Sequence, residues 1–481
     1  MRVLQRLVAE SAVASITLGG ALLAGSLLII GTSTNPFGII GTHGPTLYSL
    51  GQILNYPFNA FASLFTGAVG APDLSTISGT IDQTIPLIFT GLSVAFAFRG
   101  GLFNIGGEGQ VFMGAIAAAW IGITFASAPA TVLLPLVLIS AVLAGLLWGA
   151  IAGFLKAYRG AHEVISTIML NWIAIYGTSS MVTIGGPLNS AKAQGQAVSD
   201  QIGDGGRLPL LSWLGSSSTI HAGIYLALAA VAIYWFVISR TSVGYEIRAV
   251  GLNAGAAAYG GIPVKRRIVL AMAVAGGLAG LAGGIAVADP TGSGAFQFQS
   301  ASPPGWGFDG ITIALLGKGN PIGIVVSALL IASLHTGSNL MQSSGHVNAY
   351  MTQLLQGIIV LFVALDLVVR KLLVRRRRAT ATARDTAGIG LSGAGLPISQ
   401  NAAAAQAWRG LVVLSSVMAI FSVIFSHYFF FGLALVLALL YAVSQRRPTR
   451  GAVLVIAFCV VCLALGLAVN QYLVPLPASS S

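Results

Sequence analysis

The residues of this sequence that could take part in chemistry are concentrated in a glycine-rich stretch, 91–114. It reads GLSVAFAFRGGLFNIGGEGQVFMG and places Asn104, Glu108 and Gln110 beside glycines, between two apolar runs. A carboxylate at membrane depth costs roughly 2.5–3.5 kcal/mol on insertion scales, so by default it marks a functional site. Glycines let the backbone break and reseal where a continuous helix could not. We therefore predict that a polar solute passes here or that the backbone moves here.

Two further stretches place polar side chains in apolar surroundings. HEVISTIMLN contains Glu163 and Asn171, and GWGFDGITIALLG contains Asp309. Glu163 is also explained by a helix start, where the dipole favours an acidic side chain. Asp309 needs a partner or water, so a structural hydrogen bond and a place on a transport pathway are both open. The residues that we predict to lie along one pathway are Asn104, Glu108, Gln110, Glu163, Asn171 and Asp309.

The composition excludes most soluble classes. Hydrophobic residues make up 56 % of the 481 residues and charged residues 7 %, whereas a soluble domain is about a quarter charged. The net charge of +12 comes from short basic runs between apolar segments, which is the pattern of membrane orientation and not of nucleic-acid binding. We predict an all-α, polytopic helical membrane protein in a lipid bilayer, with no nucleic-acid partner.

The apolar runs predict about ten core transmembrane helices and about three more near the C-terminus. The core spans are 12–31, 77–98, 108–126, 131–155, 163–184, 220–239, 268–288, the short piece 306–317, 322–340 and 350–369. With a cytoplasmic N-terminus, all but Lys192 and Arg207 of the 19 Lys and Arg residues up to Arg378 fall inside. The count therefore supports the orientation as well as the spans.

Composition shifts along the chain predict four regions. Residues 1–76 hold the first span and an outer segment with a surface helix, and residues 77–378 form the core, with a long basic cytoplasmic segment at 240–267. Residues 379–407 are poor in large apolar side chains and are typical of a flexible cytoplasmic linker. Residues 408–481 hold the accessory C-terminal helices.

Glycines at four-residue spacing indicate packed helix faces. Gly145, Gly149 and Gly153 lie on one predicted span, and a second set at 276, 280 and 284 lies on another. In lipid, such small residues let helix backbones approach closely. A weaker pattern is the pair FNIG, 103–106, and FDGI, 308–311, which both follow Gly-rich apolar segments; it indicates an internal repeat, although so short a match also arises by chance.

Catalytic and metal-binding motifs are absent from the sequence. Gly317 and Lys318 are followed by Gly319, so no phosphate-binding loop of the G-x-x-x-x-G-K-[ST] type is present. Cys459 and Cys462 lie within an apolar run with no other metal ligand, which favours plain packing. We predict no cofactor, no metal and no ATPase site, so active transport would draw its energy from a partner or an ion gradient.

Four stretches, taken together and in order, carry a resemblance. GLSVAFAFRGGLFNIGGEGQ, HEVISTIMLNW, GYEIRAVGLNAGAAAYGGI and GFDGITIALLGKGNP resemble permease subunits of bacterial ABC importers for simple sugars and nucleosides, above all the longer of the two permeases in nucleoside uptake systems. The match covers roughly 75–370. It implies a cytoplasmic ABC ATPase, a second permease subunit in a heterodimer and an extracytoplasmic substrate-binding lipoprotein, in the bacterial inner membrane.

The resemblance also implies that segment 240–267 is the coupling loop against the ATPase. The residues it assigns to that contact are Gly251, Asn253, Ala256, Ala257, Tyr259, Gly261 and Ile262. The family usually has Pro and an acidic residue after the Asn of GLN and a basic residue before the Tyr, where this chain has Ala254, Gly255 and Ala258. Charged contacts are therefore not expected there.

The sequence leaves three functions open. The first is a permease subunit that moves nucleosides or related simple sugars inward, and the second is a ribose-type sugar permease. The third is an ion-coupled secondary transporter, for which Glu108, Glu163 and Asp309 offer carboxylates. The polar residues within the spans disfavour a non-transporting scaffold.

Overall fold

The computed structural model describes residues 23–27, 29–30, 47–70, 75–192, 195–211, 213, 219–290, 296–299, 305–343, 353–354 and 357–358. Regular structure in these residues is helical, with three isolated β-bridges in the connecting segments. The helices are α1 (Leu47–Val69), α2 (Ser75–Arg99), α3 (Gly107–Thr124), α4 (Ala130–Arg159), α5 (Glu163–Val182), α6 (Gly223–Arg240), α7 (Ser242–Leu252), α8 (Ala254–Tyr259), α9 (Val264–Ala288), α10 (Trp306–Leu316) and α11 (Pro321–Ser343).

The chain forms two compact units. Residues 64–340 make up one unit, which contains α2 to α10, the end of α1 and most of α11. The other unit comprises residues 1–63 and 341–481, and its described parts are helical. The site described below lies wholly within the unit 64–340.

Helix α9 is the centre of that unit and packs against α4, α3 and α2. The predicted glycine faces form its contact with α4, because a Cβ on Gly145 would lie 2.7 Å from the Gly280 Cα, and one on Gly149 would lie 3.0 Å from the Gly276 Cα. Backbones this close leave no room for side chains between them. The prediction that these glycines mark a packed helix face is confirmed.

Six described helices are long and apolar enough to cross a membrane, namely α2, α4, α5, α6, α9 and α11, and α10 is a shorter apolar helix. Their bounds agree with the predicted spans to within a few residues, so the prediction of a polytopic helical membrane protein is confirmed. Most of the predicted spans 12–31 and 350–369, and all of the C-terminal region 408–481, lie outside the described residues. The count of ten core and three C-terminal helices, the four regions and the linker stay predictions.

Two connecting regions are more helical than the sequence indicated. Segment 32–76, predicted to be an outer segment with a surface helix, contains the 23-residue helix α1, which continues through Pro57. Segment 240–267, which the sequence indicated only as a long basic cytoplasmic segment, contains α7 and α8. The Thr241 hydroxyl caps α7 by accepting a hydrogen bond from the Gly244 N–H, and these hydroxyl caps are a common helix start.

Candidate functional site

The Glu108 side chain joins two helix N-termini. Glu108 lies in the first turn of α3, is buried, and accepts hydrogen bonds from the backbone N–H of Gly305 at 3.0 Å and of Gly307 at 2.7 Å, at the start of α10. The first N–H groups of a helix have no partner within the helix and carry its positive dipole end. One carboxylate therefore caps α10 while lying at the positive end of α3.

A pair of side-chain amides stabilises the non-helical segment before α3. Asn104 and Gln110 are buried and exchange two hydrogen bonds, with N–O distances of 2.9 and 3.2 Å, and the Asn104 Oδ1 also accepts from the Gly106 N–H. Residues 102–105, between the turn after α2 and the start of α3, are not helical and need such partners for their backbone groups. The pair thus holds this segment in place.

Asn171 fixes the same segment from α5. Its side-chain amide donates to the Ile105 carbonyl at 2.8 Å, and its Oδ1 accepts from the Gly109 N–H at 2.8 Å. Gly109 has no side chain because a Cβ there would lie 2.8 Å from the Asn171 Cα. Asn104, Glu108, Gln110 and Asn171, together with Gly305 and Gly307, form one cluster that we call the central junction.

The two helices of the central junction begin part-way through the bundle. Along α2, Gly310 faces Thr90 and the Arg99 guanidinium donates to the Gly319 carbonyl at 2.9 Å, so α10 runs beside the second half of α2. At 1.5 Å per residue, the 11 residues of α10 span about 16 Å, roughly half of a hydrocarbon core of about 30 Å. The junction therefore lies at mid-depth of these helices, where residues 107–108, which follow FNIG, meet residues 305–307, which precede FDGI.

The glycines at the starts of α3 and α10 are required by the contact between these two helices. A Cβ on Gly107 would lie 3.1 Å from the Gly307 oxygen, and a Cβ on Gly307 would fall on the backbone of Glu108. Gly305, which precedes α10, has a φ of 81°, in the left-handed region that favours glycine. Discontinuous helices whose N-termini meet at mid-depth are typical of transporter binding sites.

The other two predicted pathway residues lie outside the central junction. The Glu163 carboxylate lies 2.7 Å from the Lys156 ammonium, at the connection between α4 and α5. The Asp309 carboxylate lies 3.3 Å from the His335 Nε2 of α11. Asp309 therefore has a partner that the sequence did not indicate, since nothing in the spacing links residues 309 and 335.

A second polar cluster was missed by the sequence analysis. Asp82 of α2, His221 before α6 and Asp289 after α9 are buried, and one potential ligand atom from each lies within 4.8 Å of the others. The His221 Nδ1 accepts a hydrogen bond from the Gly223 N–H at 3.0 Å, which leaves the proton on Nε2, 3.0 Å from the Asp82 carboxylate. An Nε2 that carries a proton has no lone pair for a metal, so the cluster suits a hydrogen-bonded tie between three segments.

Helices α7 and α8 form an exposed pair beside the end of α2. Gly251 of α7 packs on the turn after α2, where a Cβ would lie 2.7 Å from the Gly101 nitrogen. Asn253 caps α8 by accepting from the Ala256 N–H at 3.0 Å. The Leu252 and Tyr259 side chains are 88 % and 98 % exposed, so the pair presents apolar groups outward.

The remaining residues of the predicted coupling contact shape the end of α8. Ala257 is buried and its carbonyl accepts from the Ile262 N–H at 3.0 Å, while Gly261 has a φ of 80°. Gly260 has a φ of −74° because it continues the helical path as the C-cap of α8, so the chain turns away from the helix at Gly261.

Comparison with known proteins places this arrangement in a transport family. The family model described as "Branched-chain amino acid transport system / permease component" matches residues 76–364. The chain belongs to this family. It is therefore a multi-pass membrane protein and a transport subunit.

The alignments with individual relatives cover most of the length of those relatives. The guanosine ABC transporter permease protein NupP of Bacillus subtilis is 39 % identical over 65 % of this chain and 87 % of the relative. The nucleoside ABC transporter permease protein NupB of Lactococcus lactis is 35 % identical over 68 % and 88 %, and the glucose ABC transporter permease protein TsgB13 of Haloferax volcanii is 33 % identical over 58 % and 73 %. No solved structure is a significant match.

Proposed function

We propose that this permease carries nucleosides inward as a subunit of an ABC importer. The observation that carries the proposal is the similarity to a guanosine permease over nearly the whole length of that relative. The central junction supports it, because two helix N-termini that meet at mid-depth beside a polar cluster are typical of transporter binding sites. Simple sugars related to the ribose part of a nucleoside belong to the same proposal.

The machine that we propose includes three other kinds of subunit. A separate cytoplasmic ABC ATPase supplies the energy, because the sequence has no phosphate-binding loop. A second permease subunit completes the membrane part as a heterodimer, and an extracytoplasmic binding lipoprotein delivers the solute. The purified permease alone in liposomes should hydrolyse no ATP.

The orientation of the proposal puts the N-terminus and the α7–α8 pair in the cytoplasm. Arg99 and the α6 residue Tyr234 both donate to the Gly319 carbonyl, so the ends of α2, α6 and α10 lie on one side of the unit. Arg240 and Lys318 belong to the same ends. This concentration of basic residues on one side is the pattern of cytoplasmic loops.

We propose that segment 240–267 receives the ATPase and transmits its movement. Its exposed Leu252 and Tyr259 offer apolar docking, and Gly251 touches Gly101, from which residues 102–105 lead directly to the central junction. A shift of α7 would thus be felt at the start of α3. Gly261→Leu should leave the complex assembled but abolish the stimulation of ATP hydrolysis by solute and binding protein, since φ near 80° resists a side chain.

A matched control distinguishes coupling from misfolding in that experiment. Gly260→Leu places the same side chain at the preceding residue, where the φ of −74° is one that any residue adopts. Unchanged transport in Gly261→Leu, or crosslinks from the ATPase to residues 156–162 but never to 250–263, would contradict the assignment.

We propose that the six predicted pathway residues lie along or directly behind the solute pathway. In this proposal Asn104, Glu108, Gln110 and Asn171 brace its mid-depth wall, and Glu163 and Asp309 lie elsewhere along it. Single cysteines at Asn104 or Asp309 should reduce uptake without preventing insertion. Failure of small water-soluble thiol reagents to reach them in any state would show that they are structural only.

Two alternatives have specific observations behind them. Similarity to a glucose permease favours a sugar permease as the second candidate. An ion-coupled secondary transporter is less well supported, because Glu108, Glu163 and Asp309 each have a partner within the chain. Isotope uptake in a deletion strain, with nucleosides and pentoses in competition, distinguishes the solutes, and concentrative uptake by the permease alone under an ion gradient would overturn the ABC importer.

A further inference from the structure

Two spans of this permease are equally exposed but differ in character. Only 22 % of the span α4 and 22 % of the span α5 is buried within the chain. Yet α4 is the most apolar of the six candidate spans and α5 the least apolar. Thr167, Asn171 and Thr178, which lower the average for α5, are buried, so the open face of α5 has to be judged by its own exposed side chains.

Helix α5 has a buried stripe on one side and, on its open face, a pair of aromatic side chains. Thr167, Asn171, Ala174, Thr178 and Val182 form the buried stripe. On the opposite side the Trp172 and Tyr176 side chains are 50 % and 67 % exposed, and their rings stack with centroids 5.6 Å apart and planes inclined by 23°. The pair presents an aromatic surface outward from the bundle.

The depth of this pair is unusual for aromatic residues that face lipid. Trp and Tyr collect at the two membrane interfaces, where their polar atoms reach water. Trp172 and Tyr176 lie in the middle of the 20-residue span, and Trp172 directly follows Asn171 of the central junction. Neither the indole N–H nor the phenol O–H makes a hydrogen bond to any described part of the chain, and leaving these groups unpaired would be costly in hydrocarbon.

A glycine next to the pair leaves space that the chain itself does not fill. Gly177 is on the open face, and a Cβ there would meet nothing within 4 Å. Alanine would stabilise an exposed helix position relative to glycine, so the isolated chain gives no reason for glycine here. Close approach of another group at this position would require it.

We propose that Trp172 and Tyr176 form a binding site for the planar heterocycle of the solute, on the wall of the pathway. Any nucleobase can stack on an aromatic ring, whatever hydrogen-bond donors and acceptors the base carries. The indole N–H and phenol O–H remain available to bind the polar edge of the base. Gly177 leaves the adjoining part of the open face clear of any side chain. The inference rests on the proposed function, because it requires a nucleoside-like solute.

Initial-rate uptake by the complete complex in liposomes tests the site. Trp172→Ala and Tyr176→Ala should each lower kcat/KM for a nucleoside by about 5- to 140-fold, the range expected for one lost stacking contact. Trp172→Phe should retain most of the rate, since it keeps an aromatic face. Leu147→Ala, at a 64 % exposed position of α4, is the matched control and should leave uptake unchanged.

A photolabel supplies a readout that does not depend on the variants. An azido-purine nucleoside should label residues of α5 near 172–176 in the unmodified complex, and an excess of nucleoside should suppress the labelling. No labelling of α5, or normal uptake in both alanine variants, would overturn the site and assign this face to lipid.

Two other outcomes are distinguishable from these. Loss of the second permease from purified Trp172→Ala and Trp172→Phe complexes alike would show that the pair is a subunit contact, which also overturns the inference. Absence of nucleoside uptake by the unmodified complex would overturn the proposed function and, with it, this site.

Discussion

The central junction and the α7–α8 pair use similar residues in opposite ways. Both combine glycine contacts with capped helix starts. In the junction the polar groups of Asn104, Glu108, Gln110 and Asn171 are buried and find partners within the chain. The α7–α8 pair instead leaves Leu252 and Tyr259 almost fully exposed.

The difference shows where this permease is complete by itself and where it is not. A buried polar cluster with its hydrogen bonds made is rigid, and removal of one member leaves costly unpaired groups. An exposed apolar pair gains little for the isolated chain, so its role requires another surface. Substitutions should therefore affect stability at the junction and coupling at the α7–α8 pair.

The largest expected effect on stability is at the contact between the starts of α3 and α10. Gly307→Ala places a Cβ on the Glu108 backbone, and backbone cannot move aside as a side chain can. Overpacking typically costs about 1–3 kcal/mol, and here we expect the upper end or loss of folded protein. Thermal unfolding and membrane yield measure it.

Gly51→Ala is the control for that substitution, because a Cβ at this position of α1 meets nothing within 4 Å. It should be neutral or slightly stabilising. Equal behaviour of the two variants would contradict the close contact at Gly307.

The next effect in size is at the Glu108 carboxylate. Glu108→Ala leaves the N–H groups of Gly305 and Gly307 without their acceptor, at about 1.5–3 kcal/mol for each hydrogen bond to a charged group. Glu108→Gln keeps one acceptor oxygen and should be intermediate. Unfolding of the purified complex should rank wild type above Gln and Gln above Ala, and an Ala variant as stable as wild type would refute the cap.

The sequence predicted the junction residues better than it predicted their partners. Glu108 attracts attention because a carboxylate among apolar residues is costly, and Gly145 and Gly280 because their spacing matches one helix face. The acceptor role of Glu108 depends on Gly305 and Gly307, which are 197 and 199 residues away. No local pattern encodes a contact of that separation.

The missed features have the same physical origin. Asp82, His221 and Asp289 belong to three segments, and each is a single titratable residue near the end of an apolar run, which alone is unremarkable. Helix α7 was missed because its sequence is only partly apolar and its stability comes from the Thr241 cap and from packing on the turn after α2. The signal available in the sequence for the cluster of Asp82, His221 and Asp289 was that titratable residues lie near the ends of several spans.

A smaller effect on stability and a larger one on coupling are expected at Gly251. Gly251→Ala places a Cβ 2.7 Å from the Gly101 nitrogen, so α7 must move away from the turn after α2. Solute uptake per ATP hydrolysed should fall by roughly tenfold, as expected for about 1.4 kcal/mol of lost coupling. Gly255→Ala is the control, since its closest neighbour is the Asn253 side-chain oxygen at 3.3 Å.

The smallest effect on the chain itself is expected for Tyr259→Ala. A side chain that is 98 % exposed contributes little to folding, so the unfolding free energy should change by less than about 0.5 kcal/mol. Co-purification with the ATPase should nevertheless fall. A destabilised permease with normal ATPase binding would reverse the distinction between the two regions.

The cap on α10 also has a consequence for the order of events during synthesis of the chain. Glu108 emerges from the ribosome 197 residues before Gly305, which at about 5–20 residues per second is a delay of roughly 10–40 s. During that interval the carboxylate is already next to the membrane without the two N–H groups from which it accepts hydrogen bonds. Nascent chains that stop before residue 305 should therefore remain at the insertion machinery or be degraded, whereas chains released after α10 has emerged can close the bundle.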